Sequence, residues 1–352
     1  MPNYTNGGGS VYLYGLVNNL NPKLNNNMIT SGIIPQLQYH LDSYEKVIFC
    51  NVWNPFSKNF LRAINLILNS EIIHSHGRFN YPLIIISWIL RKKIIHQYHG
   101  YYGFDHESKI SRFFGVISDQ LINLIVTKII FNSDSEMKSA TANLYFNKNK
   151  IFIIRNRSRY KARKVYKKSI KSKSLYKILC LSRTGKQKGL DYLLNLAEEL
   201  KNDLNYIIVH FISLEDSGRK DYINEIKKRN LDKNILVKDS INDIENITHD
   251  YDLLISTSIF EARSLAILES MALGLPVAAT DCIGQKELIE NNRGILLKLN
   301  ENERKWKNSI LDVFSNDLKY NSIRNSALDF IIRDGSLEAL ASEFELIYGK
   351  SS

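Results

Sequence analysis

Two glutamates, Glu261 and Glu269, are separated by seven residues in the sequence. The apolar runs 253–255 before them and 277–280 after them are typical of buried strands, so the segment between is predicted to be a strand-to-helix crossover. A buried carboxylate without a partner costs several kcal/mol. Glu269, the one acid inside an otherwise small and apolar helix, is therefore expected to bind a polar group or a ligand.

The helix that carries Glu269 is delimited by its own sequence. Ser264 is a candidate N-cap, Gly274 stands where a left-handed C-terminal residue is needed, and Pro276 cannot continue a helix. The first backbone N–H groups of a helix have no acceptor within it, and the helix dipole favours a phosphate there. These groups belong to Arg263, Ser264, Leu265 and Ala266.

A phosphate flanked by two acids that bind hydroxyl groups would match a nucleotide sugar. A second loop offers positive charge for the phosphate. This loop follows the predicted strand 176–182, contains glycine and carries Arg183 and Lys188. Arginine binds phosphate oxygens through its planar guanidinium group, and lysine acts as a single point charge. The alternative interpretation is that Glu261 is a solvated loop acid and Glu269 pairs with a nearby lysine.

The segment 258–277 resembles the E-x7-E signature of retaining glycosyltransferases of family 4, which have the two-domain GT-B fold. The resemblance implies that Glu261 is catalytic and lies against the donor sugar, and that Glu269 binds the ribose hydroxyls. It also implies that Arg183 and Lys188 clamp the donor diphosphate. Ser264 stands where the family usually has glycine.

The same resemblance assigns residues outside the helix. A turn at His99 and Gly100 is expected to face the cleft, with His99 counted as catalytic, and the backbone of Gly284 is expected to approach the sugar. Further donor contacts fall on Gly8 and Gly9. In the family this glycine loop follows a buried strand, so we expect that strand to be missing or the natural start to lie upstream.

No metal is expected at the site. His74 and His76 are predicted to face opposite sides of a strand-like segment, and no cysteine or acid cluster joins them. Each histidine also has the alternative of satisfying backbone groups at a strand end. Three distant cysteines show neither paired nor metal-ligand spacing, which makes a reducing cytoplasm the default.

Alternating apolar strands and amphipathic helices predict an α/β protein with parallel, doubly wound sheets, and 352 residues suffice for two domains. In the first domain, strands are predicted at 47–50, 72–74, 94–96 and 129–131, and helices near 58–68, 82–91, 108–125 and 135–144. The predicted division is an acceptor-side Rossmann-like domain 1–154, a basic linker 155–175, a nucleotide-sugar domain 176–320, and helices 321–352 that cross back. The resemblance implies that the two domains face each other across a cleft.

The net charge of +11 equals the charge of one tract, 155–177, which has eleven cations and no acid. The charge is therefore expected to act at one place. The tract could be a solvated linker, could contact anionic lipid at about 1 kcal/mol per basic residue, or could bind a pyrophosphate-bearing acceptor. The longest apolar run, 83–90, is too short for a bilayer span.

The sequence therefore predicts a retaining hexosyltransferase that moves a sugar from a UDP- or GDP-linked donor to an acceptor hydroxyl without a metal. The acceptor is hypothesised to be a surface glycan, as in lipopolysaccharide, on a polyprenyl diphosphate at the inner face of the cell membrane. A nucleotide-sugar epimerase is one alternative. A nucleic-acid-binding protein that uses the basic tract with Tyr160, Tyr166 and Tyr176 is another, disfavoured because it leaves the phosphate loops unexplained.

Overall fold

The structure, a computed structural model, describes residues 8–30, 42–77, 80–100, 109–163, 168–171, 173–201, 203–241 and 243–349. The chain divides into two compact units, Met1–Asn156 together with Leu337–Ser352, and Arg157–Ser336. The sequence-based boundaries at 154/155 and 320/321 differ from this division, and the second falls inside one continuous helix, Asp317–Asp334. From Arg157 onward, the tract predicted to be a linker belongs to the second unit.

The first unit is built on parallel strands. The strands are β1 (Asn27–Thr30), β2 (Lys46–Phe49), β3 (Ile72–His76), β4 (Lys93–Gln97), β5 (Lys128–Phe131) and β6 (Ile151–Ile153). The helices are α1 (Gly8–Asn19), α2 (Phe60–Leu68), α3 (Tyr81–Ile89), α4 (Lys109–Ile125), α5 (Asp134–Thr141) and, from the end of the chain, α12 (Leu337–Tyr348). One sheet has the order β3-β4-β5-β6, and β1 pairs separately with β2.

Apolar strands hold this unit together. Ile94, Ile129 and Phe131 are fully buried and pack with Ile84 of α3 and Ile122 of α4 in one cluster. Strands covered on both faces are typical of parallel sheets and explain their short, continuous apolar runs. Helix α12 packs on α1, so the end of the chain completes this unit.

The second unit contains a six-stranded parallel sheet. Its strands are β7 (Tyr176–Leu181), β8 (Tyr206–Phe211), β9 (Ile235–Lys238), β10 (Leu253–Ser256), β11 (Val277–Thr280) and β12 (Ile295–Leu297). Its helices are α6 (Leu190–Leu200), α7 (Arg219–Lys228), α8 (Leu265–Ala272), α9 (Lys286–Ile289), α10 (Glu303–Phe314) and α11 (Asp317–Asp334). The strand order is β12-β11-β10-β7-β8-β9.

Neighbouring residues on β7 serve two different cores. Ile178 packs with Leu193 of α6 and Trp306 of α10, whereas the next residue, Leu179, packs with Ile267 of α8 on the other face. This alternation follows from the two-residue period of a strand and buries both faces of the sheet.

The strands and helices predicted in the first domain are confirmed, with ends that move by up to three residues, and so are the second-domain strands predicted at 176–182, 253–255 and 277–280. Three strands were not predicted: β1, which lies within an asparagine-rich stretch, β6 and β12. β1 has only two apolar residues and the other two strands have three residues each, so the apolar pattern was too short to recognise.

Candidate active site

The strand order places a crevice beside β7 and β10. These two strands are neighbours, but the chain proceeds from β7 toward β8 on one side and from β10 toward β11 on the other. Ligands of doubly wound sheets bind at such a switch point, beyond the carboxyl ends of the strands. The loops that leave there are 182–189 and 257–264, the two segments singled out by the sequence.

Direct contacts join these two loops. The amide N–H of Ile259 donates to the carbonyl of Gln187 at 2.8 Å, and the Thr257 hydroxyl donates to the carbonyl of Lys188 at 3.1 Å. Gly189 has φ +59°, and a Cβ there would lie 2.2 Å from the carbonyl oxygen of Thr257. Glycine is therefore required for the close approach that brings the cationic loop against the acidic one.

Lys188 and Glu261 form an ion pair at this crevice. Lys188 Nζ lies 2.5 Å from Glu261 Oε1, and the Ser258 hydroxyl donates to the same oxygen at 3.0 Å. Only 17% and 15% of the two side chains are exposed. The alternative that Glu261 is a solvated loop acid is therefore wrong, because its carboxylate is largely enclosed and held by two donors.

Gly284 lies directly against the backbone of Glu261. It has φ +81°, and a Cβ at this position would come within 2.2 Å of the Glu261 carbonyl oxygen and 2.4 Å of the Ala262 carbonyl oxygen. The Glu261 amide also donates to the Ile283 carbonyl at 3.1 Å. The turn after β11 thus fixes the backbone that presents Glu261.

Helix α8 begins where the sequence predicts it to begin. Ser264 occupies the N-cap position with extended backbone angles, but its side chain makes no capping hydrogen bond to the helix. By helix geometry the N–H groups of Leu265 and Ala266 have no intrahelical acceptor. They stay available for an anion at the start of the helix, next to Glu261.

Arg263 has a different environment from the one expected of a donor-binding side chain. It is 3% exposed, and its guanidinium pairs with Asp334 at 2.7 Å and Glu287 at 3.3 Å. Its side chain therefore joins the start of α8 to α9 and α11. Only its backbone remains as a candidate ligand of a phosphate.

Glu269 is bound by Arg159 through two hydrogen bonds. Arg159 Nε donates to Oε1 at 2.7 Å and Nη2 donates to Oε2 at 3.3 Å. Glu269 is 5% exposed, and its burial raises the pKa of the carboxyl above the usual range against the opposing charge of Arg159. The predicted need for a polar partner is confirmed, but the suggested lysine is wrong.

The sequence interpretation missed Arg159 because it assigned this residue to a linker. The available signal was one acid inside an apolar helix together with a distant tract rich in cations that could supply its partner. Arg159 also lies over the ring of Tyr160 at 5.0 Å, and the Tyr160 hydroxyl donates to Asp243 at 2.6 Å. Arg159, Tyr160, Asp243 and Glu269, which come from three separate segments, therefore form one polar network.

Other cations of the tract are also paired within the protein. Arg155 pairs with Asp134, Arg163 pairs with Glu245, and Lys168 and Lys173 bind Asp252, whose side chain is fully buried. The tract is therefore not the free block of charge that its composition indicated. Residues 164–167 lie outside the described residues.

The two tyrosines of the tract that the structure describes do not form a stacking surface for bases. Tyr176 is 7% exposed and stacks on Phe314 with a centroid distance of 4.6 Å and an interplanar angle of 7°. The Tyr160 hydroxyl is bound by Asp243. Tyr166 lies outside the described residues.

Arg183 is the exposed cation of the site. It has no ion pair with any described residue, whereas the neighbouring Thr184 is fixed by Asp216 through a backbone hydrogen bond of 2.9 Å and a side-chain hydrogen bond. Burial acts to raise the pKa of Asp216, but the bonds from Thr184 and Gly218 and the charge of Arg183 lower it. Asp216 thus keeps its negative charge and anchors the loop while Arg183 stays available.

The first unit contains a separate cluster of histidines. His76 Nδ1 lies 2.9 Å from His99 Nε2, and His74 Nδ1 lies 2.9 Å from the Tyr348 hydroxyl. The prediction that His74 and His76 face opposite sides is wrong: their rings lie 4.1 Å apart, because residues two apart on a strand share a face.

Burial lowers the pKa of His99 to about 4 and, together with the neighbouring histidines, that of His74 to about 3. Both rings are therefore neutral near pH 7. In the described part of the chain, no group of three or more His, Cys, Asp or Glu side chains is arranged to hold a metal ion.

The remaining predicted residues also lie in the first unit. The Gly100 amide donates to the buried carboxylate of Glu136 at 2.6 Å, which fixes the turn after β4. Gly8 and Gly9 form the start of α1 rather than a loop, and the rest of the glycine run lies outside the described residues. The structure therefore brings Arg183, Lys188, Glu261, Gly284 and the start of α8 together, with Glu269 farther along the same helix. It places the remaining candidates in the first unit, namely His99, Gly100, Gly8 and Gly9.

Comparison with known sequences identifies relatives of about half of the chain. Residues 161–329 match the family model described as Glycosyl transferases group 1. Poly(ribitol-phosphate) alpha-N-acetylglucosaminyltransferase of Staphylococcus aureus (strain COL) is 27% identical over 165 residues, which cover 47% of this chain. The aligned part spans only 33% of that protein.

Comparison with solved structures supports the fold over the whole chain. HepE of Anabaena, in complex with UDP-glucose, superposes with a TM-score of 0.82 at 16% identity and covers 99% of both chains. TarM superposes with a TM-score of 0.68 at 20% identity and covers 83% of this chain and 59% of its own. The predicted fold class, two Rossmann-like domains of the GT-B type, is confirmed.

Proposed function

The part of the chain from 161 to 329 belongs to the glycosyl transferases of group 1, and from this premise we propose that the protein transfers a sugar from a nucleotide diphosphate donor to an acceptor hydroxyl. The observation that carries the proposal is the Lys188–Glu261 pair at the start of α8, where a cation, an acid and open helix N–H groups meet at the switch point of the sheet.

Each group of this site has a task in donor cleavage. The leaving diphosphate gains negative charge as the bond to the sugar breaks, and Lys188, Arg183 and the N–H groups of Leu265 and Ala266 stabilise that charge. Glu261 faces the sugar as positive charge develops on it. Because these groups are fixed before the reaction, little reorganisation is needed when the bond breaks.

The Lys188–Glu261 ion pair suggests how the site is held ready for a donor. Without a donor, each charge neutralises the other at 2.5 Å. A bound diphosphate would compete for Lys188 and leave Glu261 with the Ser258 hydroxyl as its partner. Donor binding would therefore release the carboxylate toward the sugar. This exchange couples the binding of the diphosphate to the positioning of the Glu261 carboxylate.

We favour a UDP-linked hexose as the donor and retention of the anomeric configuration. HepE was solved with UDP-glucose, and the S. aureus relative is named for transfer of alpha-N-acetylglucosamine. For the acceptor we retain a glycan linked to a polyprenyl diphosphate, made at the cytoplasmic face of the membrane. The S. aureus relative supports a polymeric acceptor, because its name specifies poly(ribitol-phosphate).

Thermal melting against a panel of UDP-, GDP-, ADP- and CMP-linked sugars tests the donor. A ligand present at about 100 times its dissociation constant stabilises a protein by roughly 2.7 kcal/mol, which raises the melting temperature measurably. We expect one UDP-sugar to give the shift and Glu261→Gln to retain much of it while losing transfer to an acceptor. Glu261→Gln keeps the size of the side chain and removes the charge.

Two results would contradict this proposal. If no nucleotide sugar shifts the melting temperature, the site does not bind a donor. If the donor is converted into an isomeric nucleotide sugar in the absence of acceptor, the protein is an epimerase. Product stereochemistry, measured by NMR on the released glycoside, then tests retention separately.

A further inference from the structure

The outer surface of helices α2, α3 and α4 is unusually apolar. On α4, the exposed residues Phe113, Ile117, Leu121 and Leu124 recur at spacings of four, four and three, so they form one stripe along the helix. Their exposed fractions run from 40% to 62%. An amphipathic helix of a globular protein normally shows polar residues on this side.

The stripe continues onto the neighbouring helices. Helix α3 packs against α4 and exposes Trp88 at 53% and Ile89 at 64%. Helix α2 packs against α3 through Ile67 and exposes Leu61 at 80%. We call these three helices, with the loop that precedes α2, the helical face. Its exposed large apolar residues are Trp53, Phe56, Leu61, Leu68, Ile85, Trp88, Ile89, Phe113, Phe114, Ile117, Leu121 and Leu124.

The charges of the helical face have one sign. Helices α2 and α3 contain no acid, and the one acid of α4, Asp119, is buried and bound by Tyr81. Lys58, Arg62, Arg91 and Lys93 are exposed around the apolar residues and form no ion pair with any described residue. From 46 to 128 the sequence has ten cations and four acids, so the positive charge of this protein is not confined to the tract 155–177.

A second copy of the chain would suit this face poorly. In a two-fold symmetric contact the same patch meets itself, so unpaired cations would face cations without an acid to neutralise them. An anionic bilayer has both an apolar interior, which can bury these side chains, and a negatively charged surface, which can pair with the cations. Tryptophan, phenylalanine and leucine mixed with lysine and arginine are the composition of helices that lie in the bilayer interface.

We infer that the helical face docks onto an anionic lipid surface, with α4 lying in the plane of the interface. Among the described helices, none is long and apolar enough to span a bilayer, so the contact is one of adsorption. This docking surface replaces the tract 155–177, whose described cations are largely paired inside the protein. It is independent of the donor chemistry proposed above, because no donor-site residue lies on these helices.

Vesicle sedimentation with the full chain tests the surface. Vesicles of phosphatidylcholine alone are compared with vesicles that contain about 30 mol% phosphatidylglycerol, at low and high salt. We expect binding to the anionic vesicles that weakens as salt increases. The double variant Phe113→Ser, Leu121→Ser should bind more than tenfold more weakly, and Lys58→Ala, Arg62→Ala should lose roughly fivefold for each cation removed.

Matched controls come from the second unit. Leu214→Ser, Leu318→Ser removes two apolar residues that are 65% and 81% exposed, and Lys220→Ala, Lys233→Ala removes two exposed lysines. Both controls should bind vesicles like the wild type, and all variants should keep the melting shift with donor. Equal binding to neutral and anionic vesicles, or undiminished binding by the serine variant, overturns the inference. So does a wild-type dimer that the serine variant converts to a monomer, because a second copy would then cover the face.

Discussion

Arg159 binds both carboxylate oxygens of Glu269, at 2.7 and 3.3 Å, and among the described residues it is the side chain that pairs with this buried acid in an apolar helix. The pair connects a segment with no regular secondary structure to the core of the second unit. The ribose contact that the resemblance assigns to Glu269 must be made in the presence of Arg159.

Replacing Arg159 with alanine should destabilise the second unit by about 3 kcal/mol at pH 7, because a buried charge loses its partner. Arg163→Ala is the control: it breaks an ion pair whose arginine is 58% exposed, and it should cost less than about 1 kcal/mol. Urea unfolding of both variants measures the difference. Equal losses would show that Glu269 does not depend on Arg159.

The loss of unfolding free energy caused by Arg159→Ala should become smaller as the pH falls. Burial raises the pKa of Glu269, and loss of the arginine removes the charge that opposes this rise. A carboxyl whose folded pKa is raised is destabilising when ionised, so protonation at lower pH removes the penalty. Unfolding of wild type and variant between pH 7 and pH 4.5 checks the sign. A deficit that grows toward acid would contradict the assignment.

Replacing Gly284 with alanine should cost at least about 2 kcal/mol and abolish the donor-induced melting shift. A Cβ would lie 2.2 Å from the Glu261 carbonyl oxygen, and φ +81° is strained for any other residue. Gly185→Ala is the matched control on the cationic loop, because Gly185 has φ −60° and no atom within 4 Å of its would-be Cβ. If both variants bind donor equally, the turn after β11 is not part of the site.

Loss of Lys188 should weaken donor binding by about 10- to 100-fold, the range for one charge-assisted hydrogen bond. Lys186→Ala provides the control, since Lys186 is exposed, two residues away, and unpaired among the described residues. Both changes remove one positive charge from the same loop. Isothermal titration with the UDP-sugar identified in the melting panel compares them, and equal losses would indicate a general charge effect instead of a direct contact.

The first unit should lose stability as the pH falls from about 6.5 toward 4. Burial lowers the pKa of His99 to about 4 and that of His74 to about 3, so the unfolded chain binds protons in this range before the folded chain does. The loss should be on the order of 1 kcal/mol per histidine after allowance for partial exposure. Thermal melting at closely spaced pH values, with His74→Phe as a variant of smaller slope, measures it. An unchanged slope would mean that His74 does not titrate on unfolding.

Local sequence patterns were sufficient for most of the fold. Strand β11 is a short run of small and apolar residues, and α8 begins directly after Ser264 and ends before Gly274, as the start and stop residues of its sequence predict. Strands β1, β6 and β12 were missed because β1 has only two apolar residues and the other two have three residues each. The cationic loop with Lys188 and the acidic loop with Glu261 were also recognised from the sequence, because each loop follows a clear strand.

Pairings between distant segments could not be derived from the sequence. That Arg159 pairs with Glu269 across 110 residues, that Arg263 is bound by Asp334, and that Lys188 pairs with Glu261 depend on which strands are neighbours in the sheet. The composition showed the net charge of the tract 155–177 but not its partners, several of which lie in the segment before β10 and on α8. Residue types and spacing determined which chemistry was available to this protein. The tertiary structure alone decided which charges neutralise each other, because an ion pair depends on distance in space and not on separation along the chain.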